Sequence, residues 1–119
     1  MQDFNNLTIY QDSYNLVLKI YKLTERFPKA EKFNITSQLR RSSLSVTLNI
    51  AEGSSRGGDK EFSRFLQISL GSLAELLVIV QLSTELKFIN TIEQEELVQS
   101  YVKLRKMIIS LRTKILNNF

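Results

Sequence analysis

In Thr91-Ile-Glu-Gln-Glu-Glu-Leu-Val-Gln-Ser-Tyr-Val-Lys-Leu-Arg-Lys-Met-Ile-Ile-Ser-Leu-Arg-Thr-Lys-Ile-Leu116, apolar side chains return at Leu97, Tyr101, Leu104, Ile108, Leu111 and Ile115. Spacings of 4-3-4-3-4 place them in one narrow stripe along an α-helix. Thr91-Ile-Glu-Gln94 has capping-box spacing just ahead of the stripe, and Glu93, Glu95 and Glu96 occupy the first turn, where the positive end of the macrodipole favours acids. Basic residues fill the later turns, where the opposite end favours cations. The pattern predicts a helix over 92–117.

The same period extends backwards. A helix over 59–87 begins with Asp59 as N-cap and turns Phe62, Phe65, Leu66, Ser69, Leu73, Leu76, Leu77 and Val80 inward. One over 35–52 faces Ile35, Leu39, Val46 and Ile50 to the core, with Gly53 as its C-terminal stop. One over 8–26 carries Tyr10, Tyr14, Val17 and Tyr21 on one face and Leu16, Ile20, Leu23 and Phe27 on another, and ends at Phe27-Pro28 because the residue before proline avoids helical geometry. Ser42, Ser43, Ser45 and Thr47 read as small residues that permit close helix approach. Gly71-Ser72 reads the same way, since a mid-helix glycine costs about 1 kcal/mol relative to alanine and needs a packing reason. No segment alternates with period two. Short connections favour antiparallel neighbours, so the expectation is an all-α, up-down-up-down four-helix bundle in one domain, 1–119.

Composition narrows the chemistry. The 119 residues contain no histidine and no cysteine, which removes Ser-His-Asp and Cys-His nucleophiles, imidazole or thiolate zinc sites and redox dithiols. The net charge is +4. Up to residue 96 the chain carries eleven basic and twelve acidic groups, whereas residues 97–119 carry five cations and no acid. The opening Met1-Gln-Asp-Phe-Asn-Asn has neither a basic leader nor an apolar core, so export is not expected. The apolar stretch Leu70–Leu82 includes Glu75 and is too short to span a bilayer. A cytoplasmic protein with no membrane association is expected.

On a helical wheel, Val98, Val102, Ile109 and Leu116 cluster roughly 120° from the core stripe of the last helix. Leu44, Leu48 and Ala51 lie away from the core stripe of the second. An isolated bundle needs only about three-sevenths of each helix turned inward, so the surplus points to homo-oligomerisation. Lys103, Lys106 and Lys114 share the outer side of the last helix, and Arg105 and Arg112 lie between its two apolar stripes. A solvated face suited to the helix dipole accounts for these cations. A phosphate-contacting surface, repeated once per subunit, accounts for them too.

Other patterns carry less. Gly53 and Gly58 have P-loop spacing, but Asp59 and Lys60 stand where Lys and Ser/Thr are needed. Glu52 and Glu75, on facing helices with Asn49 and Arg41 nearby, form a candidate carboxylate pair, for which a register-setting polar cluster is the commoner role. No Glu-x-x-His pair exists for a di-iron site. Residues Arg40-Arg41-Ser42-Ser43 point in different directions within a helix. No catalysis, cofactor or metal is expected.

The run Gln38-Leu-Arg-Arg-Ser-Ser-Leu-Ser-Val-Thr-Leu-Asn-Ile-Ala-Glu-Gly53 resembles the signature of a bacterial family of four-helix bundle proteins, encoded within intervening sequences of large-subunit ribosomal RNA genes and loosely labelled ribosomal proteins. Glu61-Phe-Ser-Arg-Phe-Leu66 and Gly71-Ser-Leu-Ala-Glu-Leu76 are similar to its second block, and Phe27-Pro-Lys29 to its first interhelical turn. The resemblance spans residues 8–116. The chain departs from it at Thr47, where the family commonly has proline, and at Leu77, where it often has glutamate. The resemblance implies a homopentamer. It also points to a relative, the accessory variability determinant of diversity-generating retroelements, a basic pentamer that binds nucleic acid and a reverse transcriptase.

Together these readings give a non-enzymatic oligomeric bundle that binds RNA or DNA without sequence preference. Lys103, Lys106 and Lys114 are the first candidates for phosphate contact, Arg105 and Arg112 the second. The resemblance adds Arg40 and Arg41, for which a salt bridge to Glu52 or Glu75 is an equal reading. Val98, Val102, Ile109, Leu116, Leu44 and Leu48 are the candidate subunit interface. The alternative is a scaffold that recruits a protein partner, such as a reverse transcriptase, without touching nucleic acid.

Overall fold

The computed structural model describes residues 4–117, so the expected N-terminal features at Met1–Asp3 and the domain's last two residues lie outside the described residues. A short 3-10 turn at Phe4–Asn6 leads into α1 (Thr8–Thr24), and a second at Lys29–Glu31 leads into α2 (Ile35–Ser55). Then come α3 (Asp59–Glu85) and α4 (Thr91–Leu116). No strand occurs among the described residues.

Cross-helix pairs fix the topology. Asp12 and Lys19 of α1, and Arg26 just past its end, pair with Lys103, Glu96 and Glu93 of α4, so numbers rise along one helix as they fall along the other. Thr47 donates to Ser13 while Arg40 reaches Tyr21 and Thr24, so α1 and α2 also run antiparallel. Ser45 meets Ser72 while Gly53 lies against Phe62 and Phe65, which sets α2 against α3. Each helix packs on its two neighbours, and the diagonal pairs α1/α3 and α2/α4 do not pack on one another. The result is an up-down-up-down bundle of 46 × 22 × 20 Å.

The core follows the sequence periodicity. Leu39, Val46 and Ile50 meet Leu66, Leu73 and Leu76, and Leu104 and Ile108 close the other side. In α1 the stripe containing Leu16 and Ile20 is buried, while Tyr14 and Tyr21 stay largely exposed. Small hydroxyl residues line the seams around α2, as their run in the sequence predicts. Ser42, Ser43, Thr47 and Ser69 are buried, and each hydroxyl is satisfied: Ser69 donates to the Val46 carbonyl at 3.0 Å and Thr47 to Ser13 Oγ at 3.1 Å. Buried hydroxyls without such partners would be costly.

Several boundaries move, for local reasons. Helix α2 runs through Gly53 to Ser55 instead of stopping at residue 52, because Gly53 is buried against α3 as a point of close approach and is not a cap. The turn narrows to Arg56–Gly58, with Gly57 at φ 82°. Gly58 replaces Asp59 as N-cap of α3, leaving Asp59 and Glu61 in the first turn. Helix α3 ends at Glu85, before Lys87 at φ 66°. The capping box of α4 sits one residue earlier than its expected position: Asn90 Oδ1 accepts from the Glu93 amide at 2.8 Å, and Glu93 Oε1 accepts from the Asn90 amide at 2.9 Å. Gly71 is exposed and a Cβ there would meet nothing, so within one subunit the packing reason assigned to it is absent. By length and composition the whole of α3 is long and apolar enough to cross a membrane, unlike the shorter Leu70–Leu82 stretch. Here its stripe from Phe62 to Val80 is packed inside the bundle.

Candidate nucleic-acid interface

Antiparallel packing lays the start of α1 against the C-terminal half of α4. This brings Lys103, Lys106 and Lys114 around one open groove of about 590 Å³, floored by Leu7, Ile9, Met107 and Leu111. No acid lines it. Leu7, the N-cap of α1, supplies no side-chain cap, so the positive end of the α1 dipole opens beside the lysines. Asp12 lies just outside and pairs with Lys103 at 3.5 Å. Its Oδ2 is buried and makes no hydrogen bond, so the ammonium is its compensation. Lys106 and Lys114 form no ion pair among the described residues and are exposed.

The arginines divide. Arg105 stands exposed beside the second apolar stripe of α4, as the wheel predicts. Arg112 is half-buried and its Nε donates to the Ser63 carbonyl at 3.2 Å, tying α4 to α3. It therefore serves packing, which the wheel alone does not distinguish from phosphate contact. Arg40 is also engaged. The Glu25 amide bonds back to Lys22, and Arg40 Nη2 reaches the Tyr21 carbonyl at 3.2 Å while Nε donates to Thr24 Oγ1 at 2.8 Å. Its guanidinium lies 4.5 Å from the Tyr21 ring centroid. A cation here satisfies the C-terminal end of α1. Neither expected salt bridge to Glu52 or Glu75 is present among the described residues: Arg40 is turned onto the end of α1, and Glu52 pairs with Arg56 one turn along its own helix, at 2.6 Å. Arg41 is exposed, on the outer face of α2.

Glu52 and Glu75 are not a pair. The Ser45–Ser72 contact places Glu75 opposite Ser42, ten residues from Glu52, which is about 15 Å along the bundle. Both are exposed. Two other carboxyls are perturbed by arginine neighbours. Arg26, hydrogen-bonded to Glu93, holds that carboxyl below its ordinary range against the opposing effect of burial, and Arg64 does the same for Glu61. Both are explained by structural ion pairs. Among the described residues no group of acids is placed to hold a metal.

The candidate interface residues fall on two sides of the bundle. Val102 is 52% exposed, Leu116 37%, and Val98 and Ile109 are half-buried, all on the outer side of α4 toward α3. The sequence reading overlooked the adjoining strip on α3, where Ile68, Gly71, Glu75, Val78 and Leu82 are exposed at spacings of 3-4-3-4. That rhythm was present in the sequence, hidden beside the stronger core stripe. Leu44 and Leu48, 37% and 56% exposed, stand on the diagonal helix α2. There they share a groove of about 570 Å³ with Tyr21, Phe33, Arg40 and Arg41.

Comparison with known proteins bears on the family and the fold. The description 23S rRNA-intervening sequence protein matches residues 5–110. A crystallised protein of unknown function from the S23 ribosomal protein family, from Bacteroides thetaiotaomicron, superposes with a TM-score of 0.81 at 22% identity. The match covers 88% of this chain and 95% of that one, and it supports the four-helix bundle. No curated protein matches. The signature run through Gly53, its second block in α3 and the bundle they build agree with the match over nearly the whole chain: the protein belongs to the 23S rRNA-intervening sequence protein family.

Proposed function

We propose that this protein is a non-enzymatic, homo-oligomeric bundle that binds RNA or DNA electrostatically, without sequence preference, through lysine grooves repeated around the assembly. The observation that supports this most is the convergence of Lys103, Lys106 and Lys114 with the N-terminus of α1 around a groove lined by no acid. Cations and a helix N-terminus both favour phosphate, and a phosphate backbone supplies it in series. Arg105 adds a further exposed charge on the same helix.

Assembly is inferred from the two apolar faces. A closed ring uses heterologous contacts, in which two different surfaces on opposite sides of a subunit meet. The α3–α4 face with Val78, Val98 and Val102, and the α2 face with Leu44 and Leu48, occupy such positions. The pentamer implied by the family resemblance is one ring of this kind. Presenting five grooves to one polyanion converts weak single contacts into strong binding.

Titrating the protein into labelled structured RNA and duplex DNA, followed by anisotropy, tests the proposal. Tight binding at about 50 mM salt should fall by orders of magnitude at about 200 mM, and replacing Lys103, Lys106 and Lys114 with Gln should weaken it and flatten the salt slope. Unchanged affinity in that variant would displace the contact surface. Absence of binding at low salt would turn the assignment toward a scaffold for a protein partner.

A further inference from the structure

We propose that the outer groove of α2 is a second site, one that takes unpaired nucleotides of a single-stranded nucleic acid, with Phe33 and Tyr21 as stacking faces and Lys32 and Arg41 as phosphate contacts. The assignment rests on the nucleic-acid reading above and gives it a ligand form.

Phe33 lies in the connection between α1 and α2 and is 83% exposed. A lone exposed phenylalanine needs no explanation. What marks this one is its company. The Lys32 ammonium stands 5.4 Å from its ring centroid, Tyr21 offers a second ring nearby under the Arg40 guanidinium, and Arg41 is exposed with no ion pair among the described residues. No acid lines the groove. Glu31, the nearest in sequence, is directed to the Ile35 amide at 3.4 Å. Rings alternating with cations in an open groove are the arrangement that holds single strands, since every base has a face to stack and every linkage a charge. At about 570 Å³ the groove is in the size range of small-ligand sites.

The lysine groove differs in kind. Its floor is aliphatic and no ring lines it, so it offers contact to phosphates and none to bases. The lysine groove binds duplex and single strand alike, and the α2 groove adds affinity only where bases are unpaired. Leu44 and Leu48 line the same groove, further along α2 than Phe33 and Arg41.

The experiment compares a labelled unstructured RNA with a labelled RNA duplex of equal phosphate number at one low salt concentration. The native protein should bind the single strand more tightly. Phe33→Ala should lower single-strand affinity about tenfold and leave duplex affinity unchanged. Phe33→Tyr, which keeps a ring, should retain the preference, and Arg41→Gln should weaken single-strand binding. Because Phe33 and Arg41 are exposed, thermal melts of these variants should match the parent. Equal single-strand binding by Phe33→Ala and the parent overturns the α2 assignment while leaving the lysine groove standing, whereas failure of both RNAs to bind overturns both. A change in native mass on Phe33→Ala would show that a second copy occupies the groove, and also overturns the assignment.

Discussion

At Gly53 the missing side chain sets the distance between α2 and α3. A Cβ there would stand 2.6 Å from Phe65 Cβ and 3.1 Å from the Phe62 ring. Phe65 Cβ is fixed to its own backbone and cannot swing clear, so the helices themselves must separate. Gly53→Ala should therefore lower the unfolding free energy by about 1–3 kcal/mol, read as a lower urea midpoint. An unchanged midpoint would show that this contact is not close. Lys87 is the converse case. It holds φ 66° at the end of α3, where the Phe88 amide reaches back to the Ser83 carbonyl at 2.8 Å and the Lys87 amide to Thr84 at 3.0 Å. This is the left-handed C-terminal arrangement that glycine normally supplies. Lys87→Gly should raise stability by about 1 kcal/mol, measured in the same urea series. A fall would assign the lysine side chain a packing role.

Among the elements, α4 ties the bundle together through its first turn. Glu93 closes the capping box with Asn90 and pairs with Arg26 at the end of α1. Because the Arg26 hydrogen bond lowers the Glu93 pKa in the folded state, the pair's contribution is fully present above the unfolded carboxylate value, about 4.3, and is lost as pH falls through the lower folded value. Glu93→Gln keeps a capping partner and removes the charge. Its loss of stability between neutral pH and pH 3 should therefore be smaller than the parent's, and an equal loss would mean that other carboxylates carry the acid sensitivity. Helix existence, order and inward faces were legible in the sequence because the apolar rhythm of Leu97 to Ile115 and its counterparts records burial directly. The ends were less legible. Asn90 against Thr91 and Gly58 against Asp59 differ by one residue, and either choice offers a plausible cap. The lysine cluster was legible as one side of a helix. Its partners Leu7 and Ile9 were not, because they come from a distant segment that only the antiparallel packing brings near. Arg40 and Arg112 bond to main-chain carbonyls, a use that charge alone does not distinguish from phosphate contact.

For the whole molecule, the proposed function depends on what covers the apolar strips that folding leaves outside. Val78, 63% exposed, and Val102 lie on the same α3–α4 face, while Leu44 and Leu48 lie across the bundle. The exposed Gly71 sits on that α3 strip, so a close subunit contact there would explain a helix-interior glycine that nothing inside the subunit requires. Val102→Asp, at an exposed position, should leave the monomer folded by circular dichroism and disperse the assembly. An intact assembly in that variant would move the interface elsewhere. In the proposed function, such an assembly multiplies the lysine grooves into a polyanion-binding surface. Native mass spectrometry of the purified protein at micromolar concentration is therefore the most direct measurement. The proposed function predicts one discrete closed oligomer, five copies of the 13.8-kDa chain for the pentamer implied by the family resemblance. A single species at the mass of one chain would contradict it.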